Sequence, residues 1–308
     1  MDGYNGAINV LKPSGLTSSD VVVRLKRILG QKKVGHTGTL DPGAAGVLPI
    51  VVGRATKISD YLMGGEKVYL AEITFGAATD TLDSYGKVLR ISEKRPQVRA
   101  EALLEAAAAF VGKQWQQPPM YSAIKQNGQK MYELARKGQQ IDIPKREVEI
   151  YDIELVNRTG AYSYLLKIHC SKGTYVRTLI SEIGQHLGEL SYTSFLMRVQ
   201  TGNFYVQDSW TLEEIEGCVK EKNRGFLTSV EKALEAVEEL VLPDDQFKKI
   251  INGCRISLSQ VQKKVQPEKM YRIYCRGELI GLGGMVAGAI KLNTMLLDRE
   301  NGEWKSSM

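Results

Sequence analysis

Cysteine and histidine are scarce in this chain, and neither is clustered. Its 308 residues include four cysteines and three histidines. Cys170, Cys218, Cys254 and Cys275 lie far apart, with no C-x-x-C pair among them. That excludes a disulfide framework and argues against a structural zinc site. The same usage fits a reducing compartment, so a cytoplasmic location is expected. Long apolar runs are missing too. None reaches the ~18 residues of a membrane span, and the N-terminus has no signal-peptide apolar stretch. Neither sign of charge dominates: 41 Lys and Arg stand against 35 Asp and Glu, a net charge of +6. Such a balance permits a nucleic-acid partner without requiring one. What is present is ordinary for a globular protein, 43% hydrophobic and 25% charged. The length suggests two domains, or one large domain with an appendage.

Local patterns give an outline of the fold. Ala7–Val10 reads as a strand, stopped by the turn Lys12-Pro13-Ser14-Gly15. Thr17 is a plausible N-cap with Asp20 in the capping-box position, and Val22, Leu25 and Leu29 share one helical face that Gly30 ends. Gly35 to Gly46 carries four glycines and a proline in 12 residues, Gly35, Gly38, Pro42, Gly43 and Gly46, and is expected to be irregular. Val68–Phe75 alternates with period two, as a strand should. Ala100–Val111 reads as a helix, while Ile141–Leu155 and Tyr162–Cys170 read as strands. After Gly173, Val176, Leu179, Ile180, Ile183 and Leu187 fall at helical spacing. Elements mixed without a βαβ beat indicate an α+β fold. A β-rich second unit is expected from about Pro243, with strands Met270–Cys275 and Leu279–Val286 joined at Arg276-Gly277; the expected domains are residues 1–240 and 241–308. No internal repeat is evident.

Four features admit both a chemical and a plain structural reading. Asp41 sits in Gly38-Thr39-Leu40-Asp41-Pro42, where it could simply make an Asx turn or be presented on a strained loop as a nucleophile or base. The phosphate-binding pattern G-x-x-x-x-G-K-[ST] is absent, and Gly281-Leu282-Gly283-Gly284 lacks dinucleotide-binding spacing, so those glycines are read as strand and turn residues. Arg177 lies about 60° from Ile180 and about 100° from Val176 on the helical wheel. It either snorkels to solvent or turns inward to pair with an acid, Asp41 being a candidate. Basic and aromatic residues interleave in Lys125–Arg136 (Lys130, Tyr132, Arg136) and in Lys172–Arg177, as RNA-binding surfaces require and as solvated helix faces also do. His36 could stack on nucleic acid or cap the glycine loop.

Several blocks in one order carry a family resemblance. Asn9-Val10-Leu11-Lys12-Pro13-Ser14-Gly15-Leu16-Thr17-Ser18 comes first, then Lys33 to Pro42, Gly53-Arg54-Ala55-Thr56-Lys57, Pro118 to Lys125 and Cys170 to Leu179. Over roughly the first 205 residues the chain resembles the TruB-type tRNA pseudouridine-55 synthases. The resemblance implies a pseudouridine-synthase domain with a mixed, mainly antiparallel sheet, followed by a small PUA-like RNA-binding domain. It implies that Asp41 is the essential aspartate, that Arg177 pairs with it and that Tyr69 stacks on the target base. His36 would fill the space left by the flipped base, and Leu196 would close the pocket. Lys12, Lys172 and Tyr175 would contact RNA, while Asp80 and Asp83 match an acidic stretch. Glu182 stands where the family often has Asp, and Leu196-Met197-Arg198-Val199 replaces Leu-Arg-Arg-Thr. The implied reaction is uridine to pseudouridine in the T arm of tRNA, with no cofactor, no metal and no obligatory protein partner, so a monomer is expected. Two alternatives stand beside it: a guide-RNA-dependent relative acting on ribosomal RNA, and a non-catalytic RNA-folding protein.

Overall fold

The computed structural model describes residues 3–120, 143–300 and 303–305, with two short strands at Lys125–Gln126 and Gln129–Lys130. Most of the block from Pro118 to Lys125, and the side chains of Lys125–Arg136, lie outside the described residues.

A ten-stranded sheet organises the larger part of the chain. Its main path runs Leu227–Thr228, Gly6–Lys12, Ala45–Val52, Ser191–Thr201, Lys67–Phe75, Ser163–Cys170, Arg146–Arg158 and Gly112–Gln116. Neighbours pair antiparallel except at one place. There Ala45 and Gly46 run parallel to Met197 and Arg198. The expected mixed, mainly antiparallel α+β architecture is therefore what forms. Period-two burial drives it: Tyr69, Ala71, Ile73 and Phe75 are all buried on one face of their strand, as are Tyr164, Leu166, Ile168 and Cys170 on the next. The helices Ser18–Ile28, Ala100–Ala108, Val176–His186 and Leu212–Lys220 join this core through Leu25, Leu103, Ile180 and Ile215.

Local chemistry sets the element ends. The Thr17 hydroxyl accepts the Asp20 N–H at 3.0 Å, and the Asp20 carboxylate accepts the Thr17 N–H at 2.9 Å. This reciprocal capping box fixes the start of the first helix. Val21, rather than Val22, is fully buried with Leu25, so the packed face is turned by about one residue from the expected one. The glycine stretch is less irregular than its composition suggests. Val34–His36 is a short strand on Ala45–Val52, and Gly46 belongs to the latter. Glycine is admitted there because Gly46 has φ +111, and a Cβ would lie 2.1 Å from the Arg198 carbonyl oxygen. Only residues 37–44 form the connecting loop.

The C-terminal sheet has five strands, ordered Glu239–Leu242, Met270–Cys275, Glu278–Val286, Ala289–Met295 and Ile256–Ser257. Its first strand crosses the position expected to divide the domains, because Glu239 to Leu242 pair in parallel with Arg272 to Cys275. The hairpin turn sits at Arg276 (φ 56) and Gly277 (φ 74), the positive-φ pair that matches strand twist. Gly281 and Gly283 lie inside a strand, where Cβ atoms would meet the Thr294 and Lys291 carbonyl oxygens at 2.0 and 2.3 Å. Leu240, Ile250, Ile273, Ile280 and Ile290 make a separate core. The two sheets are joined by Val51, Ala55 and Ile58 packing on Leu279, Leu282 and Leu296. Arg54 and Lys57 add hydrogen bonds to the carbonyls of Leu296 (3.1 Å) and Met295 (3.0 Å). The Gly53–Lys57 block thus holds the two units together.

Candidate active site

The loop over residues 37–44 is held by neighbours on both sides, and the first sequence block supplies most of them. Leu40 N–H donates to the Ser18 hydroxyl at 2.9 Å, which in turn donates to Leu40 O at 3.1 Å. Gly15 N–H reaches Pro42 O at 2.8 Å, and the Ser14 hydroxyl reaches Gly43 O at 2.9 Å. Lys12 is fully buried, and its ammonium donates to the carbonyls of Pro13, Leu16 and Pro42. It was expected to contact RNA. Instead its charge is taken up by loop carbonyls, and burial lowers its pKa to about 8. From the opposite side Arg198, 1% exposed, donates to Val47 O at 2.8 Å, Gly38 O at 3.2 Å and Thr39 O at 3.5 Å. Nearly every backbone acceptor of the loop has a donor, so its shape is over-determined.

Asp41 projects from this loop toward the helix Val176–His186. Arg177 turns inward, settling the choice its helical position left open. Its guanidinium meets Asp41 Oδ2 at 2.8 Å and Asp83 Oδ2 at 3.1 Å, and donates to Thr81 O at 2.7 Å. Arg177 is 5% exposed, whereas 34% of the Asp41 side chain opens to a cavity. Asp83 is itself fixed, accepting from the Thr81 hydroxyl at 2.6 Å and the Tyr85 N–H at 3.0 Å. Asp80 stays apart, accepting the Lys87 N–H in its own hairpin turn. Burial raises the Asp41 pKa above the ordinary carboxylate value, Arg177 pulls it down, and Asp83 adds repulsion. The guanidinium therefore opposes, rather than overrides, the cost of burying this acid.

The cavity measures about 250 Å³. Tyr69, Leu196, Lys172 and Tyr175, all singled out by sequence, line it with Asp41 and Arg177. Burial pushes the Tyr69 phenol up to about 12, so it stays a neutral aromatic wall. His36 is not among the lining residues. It ends its short strand half-buried, its Nδ1 accepting the Gly38 N–H at 3.4 Å, and burial lowers its pKa. Three charged lining residues were given no role by the sequence reading: Lys67, Arg146 and Arg198. Two of them carried a usable signal. Lys67 stands two residues before Tyr69 and Arg198 two after Leu196, so strand alternation puts each on its partner's face. Lys67 is buried, donates to Gly65 O at 2.9 Å and Met63 O at 3.4 Å, and has its pKa lowered to about 8 by desolvation. Among the described residues, no group of His, Cys, Asp and Glu has metal-binding geometry, and no helix is long and apolar enough to cross a membrane.

A rigid loop presenting one carboxylate to a nucleoside-sized cavity with aromatic and cationic walls is suited to chemistry on a single nucleotide. Comparison with known proteins agrees. Residues 26–176 match the N-terminal domain model of the TruB family pseudouridylate synthases. The chain is 42% identical over 280 residues to a protein of Clostridium kluyveri named tRNA pseudouridine synthase B, covering 91% of this chain and 95% of that one. A protein of the same name from Caldanaerobacter subterraneus subsp. tengcongensis is 45% identical over 249 residues, 81% of this chain and 85% of that one. Among solved structures, a chain of a Cbf5–Nop10–Gar1 complex matches with TM-score 0.75 and 25% identity over 94% of this chain and 84% of its own. A chain of an H/ACA ribonucleoprotein bound to substrate RNA matches with TM-score 0.74 over 96% and 86%, and its 24% identity shows the shared fold.

Proposed function

The chain belongs to the TruB family of pseudouridylate synthases, and from this premise we propose that Asp41, paired with Arg177, is the carboxylate that acts on the uridine. The enzyme isomerises uridine to pseudouridine in tRNA. The N1–C1′ bond breaks, the uracil turns, and a C5–C1′ bond forms. One proton leaves C5 and one is gained at N1, so product and substrate have the same atoms and no oxidant is needed. An ionised Asp41 serves whether it attacks the base, attacks the sugar or takes a sugar proton.

The observation that carries this reading is the Asp41–Arg177 pair at the wall of the cavity, with Tyr69 beside it. Extruding a base from its stack costs a few kcal/mol, which an aromatic wall offsets by stacking. Tyr69 is that wall, Leu196 closes the pocket, and His36 lies outside it, where a residue replacing the extruded base belongs. The target is the T arm, the enzyme works alone as a monomer, and the C-terminal unit that begins with the strand Glu239–Leu242 is PUA-like and binds RNA. A guide-dependent role is disfavoured because relatives named for tRNA are 42–45% identical, against 24–25% for the chains of H/ACA assemblies. A role confined to RNA folding leaves the Asp41–Arg177–Asp83 cluster without a use.

The test is a tritium-release or sequencing assay on an unmodified tRNA transcript with no other component. Wild-type protein converts one T-arm uridine. Asp41→Ala loses at least about a thousandfold in rate while RNA affinity stays within a few-fold. Activity surviving in Asp41→Ala overturns the assignment, and dependence on an added guide RNA returns the alternative.

A further inference from the structure

Five cations line the cavity, and tracing the partner of each separates one from the rest. Arg177 meets Asp41 and Asp83. Arg198 and Lys67 donate to backbone carbonyls. Lys172 is exposed at the mouth. Arg146 is half-buried, and among the described residues it meets no carboxylate and no carbonyl. Its one hydrogen bond is a long one, 3.4 Å, to the Tyr175 hydroxyl. A guanidinium carries five N–H donors in a planar fork, so most of those on this cavity-lining residue have no acceptor among the described residues.

The surroundings hold that guanidinium in place. It lies over the Tyr175 ring, 4.9 Å from the centroid, a cation–π contact. Tyr175 is fixed in turn by Gln116, whose side chain accepts the Tyr175 N–H at 2.7 Å and donates to its carbonyl at 3.1 Å. Gln116 is also the cross-strand partner of Arg146. Gly173, with φ +84, leaves the remaining room: a Cβ there would lie 3.2 Å from Arg146 Nη1. One ring face of Tyr175 is therefore covered by an arginine and closed to a base.

A flipped nucleotide brings its flanking phosphates to the cavity mouth, because extrusion rotates it about the backbone. A planar cation with free donors matches phosphate geometry. We infer that Arg146 binds a phosphate adjoining the target uridine and that Tyr175 is a positioning residue that holds its guanidinium. This inference rests on the isomerase reading above, and the experiment separates the two.

Full-length wild-type, Arg146→Gln, Arg146→Lys, Tyr175→Ala and Tyr175→Phe proteins are compared on a T-arm stem-loop, with folding checked by circular dichroism. Arg146→Gln lowers kcat/KM roughly ten- to hundredfold and reduces the log–log salt slope of RNA binding by about one. Arg146→Lys restores the slope but only part of kcat/KM. Tyr175→Ala reproduces the kcat/KM loss, and Tyr175→Phe, which keeps the ring, recovers most of it. A methylphosphonate at one of the two phosphates flanking the target uridine impairs wild type as Arg146→Gln does. In Arg146→Gln the same linkage costs under about twofold. An unchanged salt slope, or a full methylphosphonate penalty retained in Arg146→Gln, overturns the inference. Should Arg146→Gln fail to fold, the methylphosphonate penalty in Arg146→Lys decides, and an undiminished penalty there overturns it. Binding slopes are read without catalysis, so an inactive wild type would defeat the isomerase reading alone.

Discussion

The floor and the mouth of the cavity use the same residue types for different ends. On the floor Lys67 and Arg198, and beneath it Lys12, are buried, and each donates to two or three backbone carbonyls. At the mouth, Arg146 and Lys172 donate to no backbone carbonyl among the described residues. A cation in an RNA-binding cavity is therefore not by itself an RNA ligand. Burial and the identity of its acceptors decide whether it holds the protein's own backbone or something else's phosphate.

Three measurements sharpen or break that contrast. Lys12→Met carries the largest expected effect. It removes the donor to three carbonyls while keeping the side chain's length, and stability should fall by about 2–4 kcal/mol in urea denaturation. A change below about 0.5 kcal/mol would remove Lys12 from this buried group. Next comes the pH dependence of single-turnover rate. Burial raises the Asp41 pKa above 3.8, so its proton is held to higher pH than in a free carboxylate. Activity should then drop about tenfold per pH unit below a midpoint above that value, and a midpoint at or below it contradicts the burial argument. The smallest effect belongs to the mouth. Lys172→Gln should raise KM about two- to fivefold at low salt with little change in kcat or stability. A loss of stability as large as that of Lys12→Met would erase the distinction.

Much of this was legible in the sequence. The Thr17–Asp20 capping box, the alternation from Val68 to Phe75 and the Arg276-Gly277 hairpin are local patterns, and local patterns survive folding. Asp41, Tyr69, Arg177 and Leu196 were brought together by family resemblance rather than by spacing, since they come from four separate elements. What stayed hidden needed pairing information. No composition rule says that Lys12 will be covered, because one of its three acceptors, Pro42 O, arrives with the loop 30 positions later. Arg146 had no periodic neighbour to reveal it; its place depends on strand register with Gln116 and on the room left by Gly173.

The single parallel contact in the sheet has a temporal meaning. Asp41 and its loop leave the ribosome well before the arginine that ties down Gly38 and Val47, which lies 151 to 160 residues further along. A chain stopped before Arg198 would hold Asp41 on a loop with only one of its two sides fastened, and closing so long a separation is slow compared with forming the hairpins around it. The loop's final shape thus waits for the chain to extend past Arg198, and a product ending before it would carry the motif without the geometry.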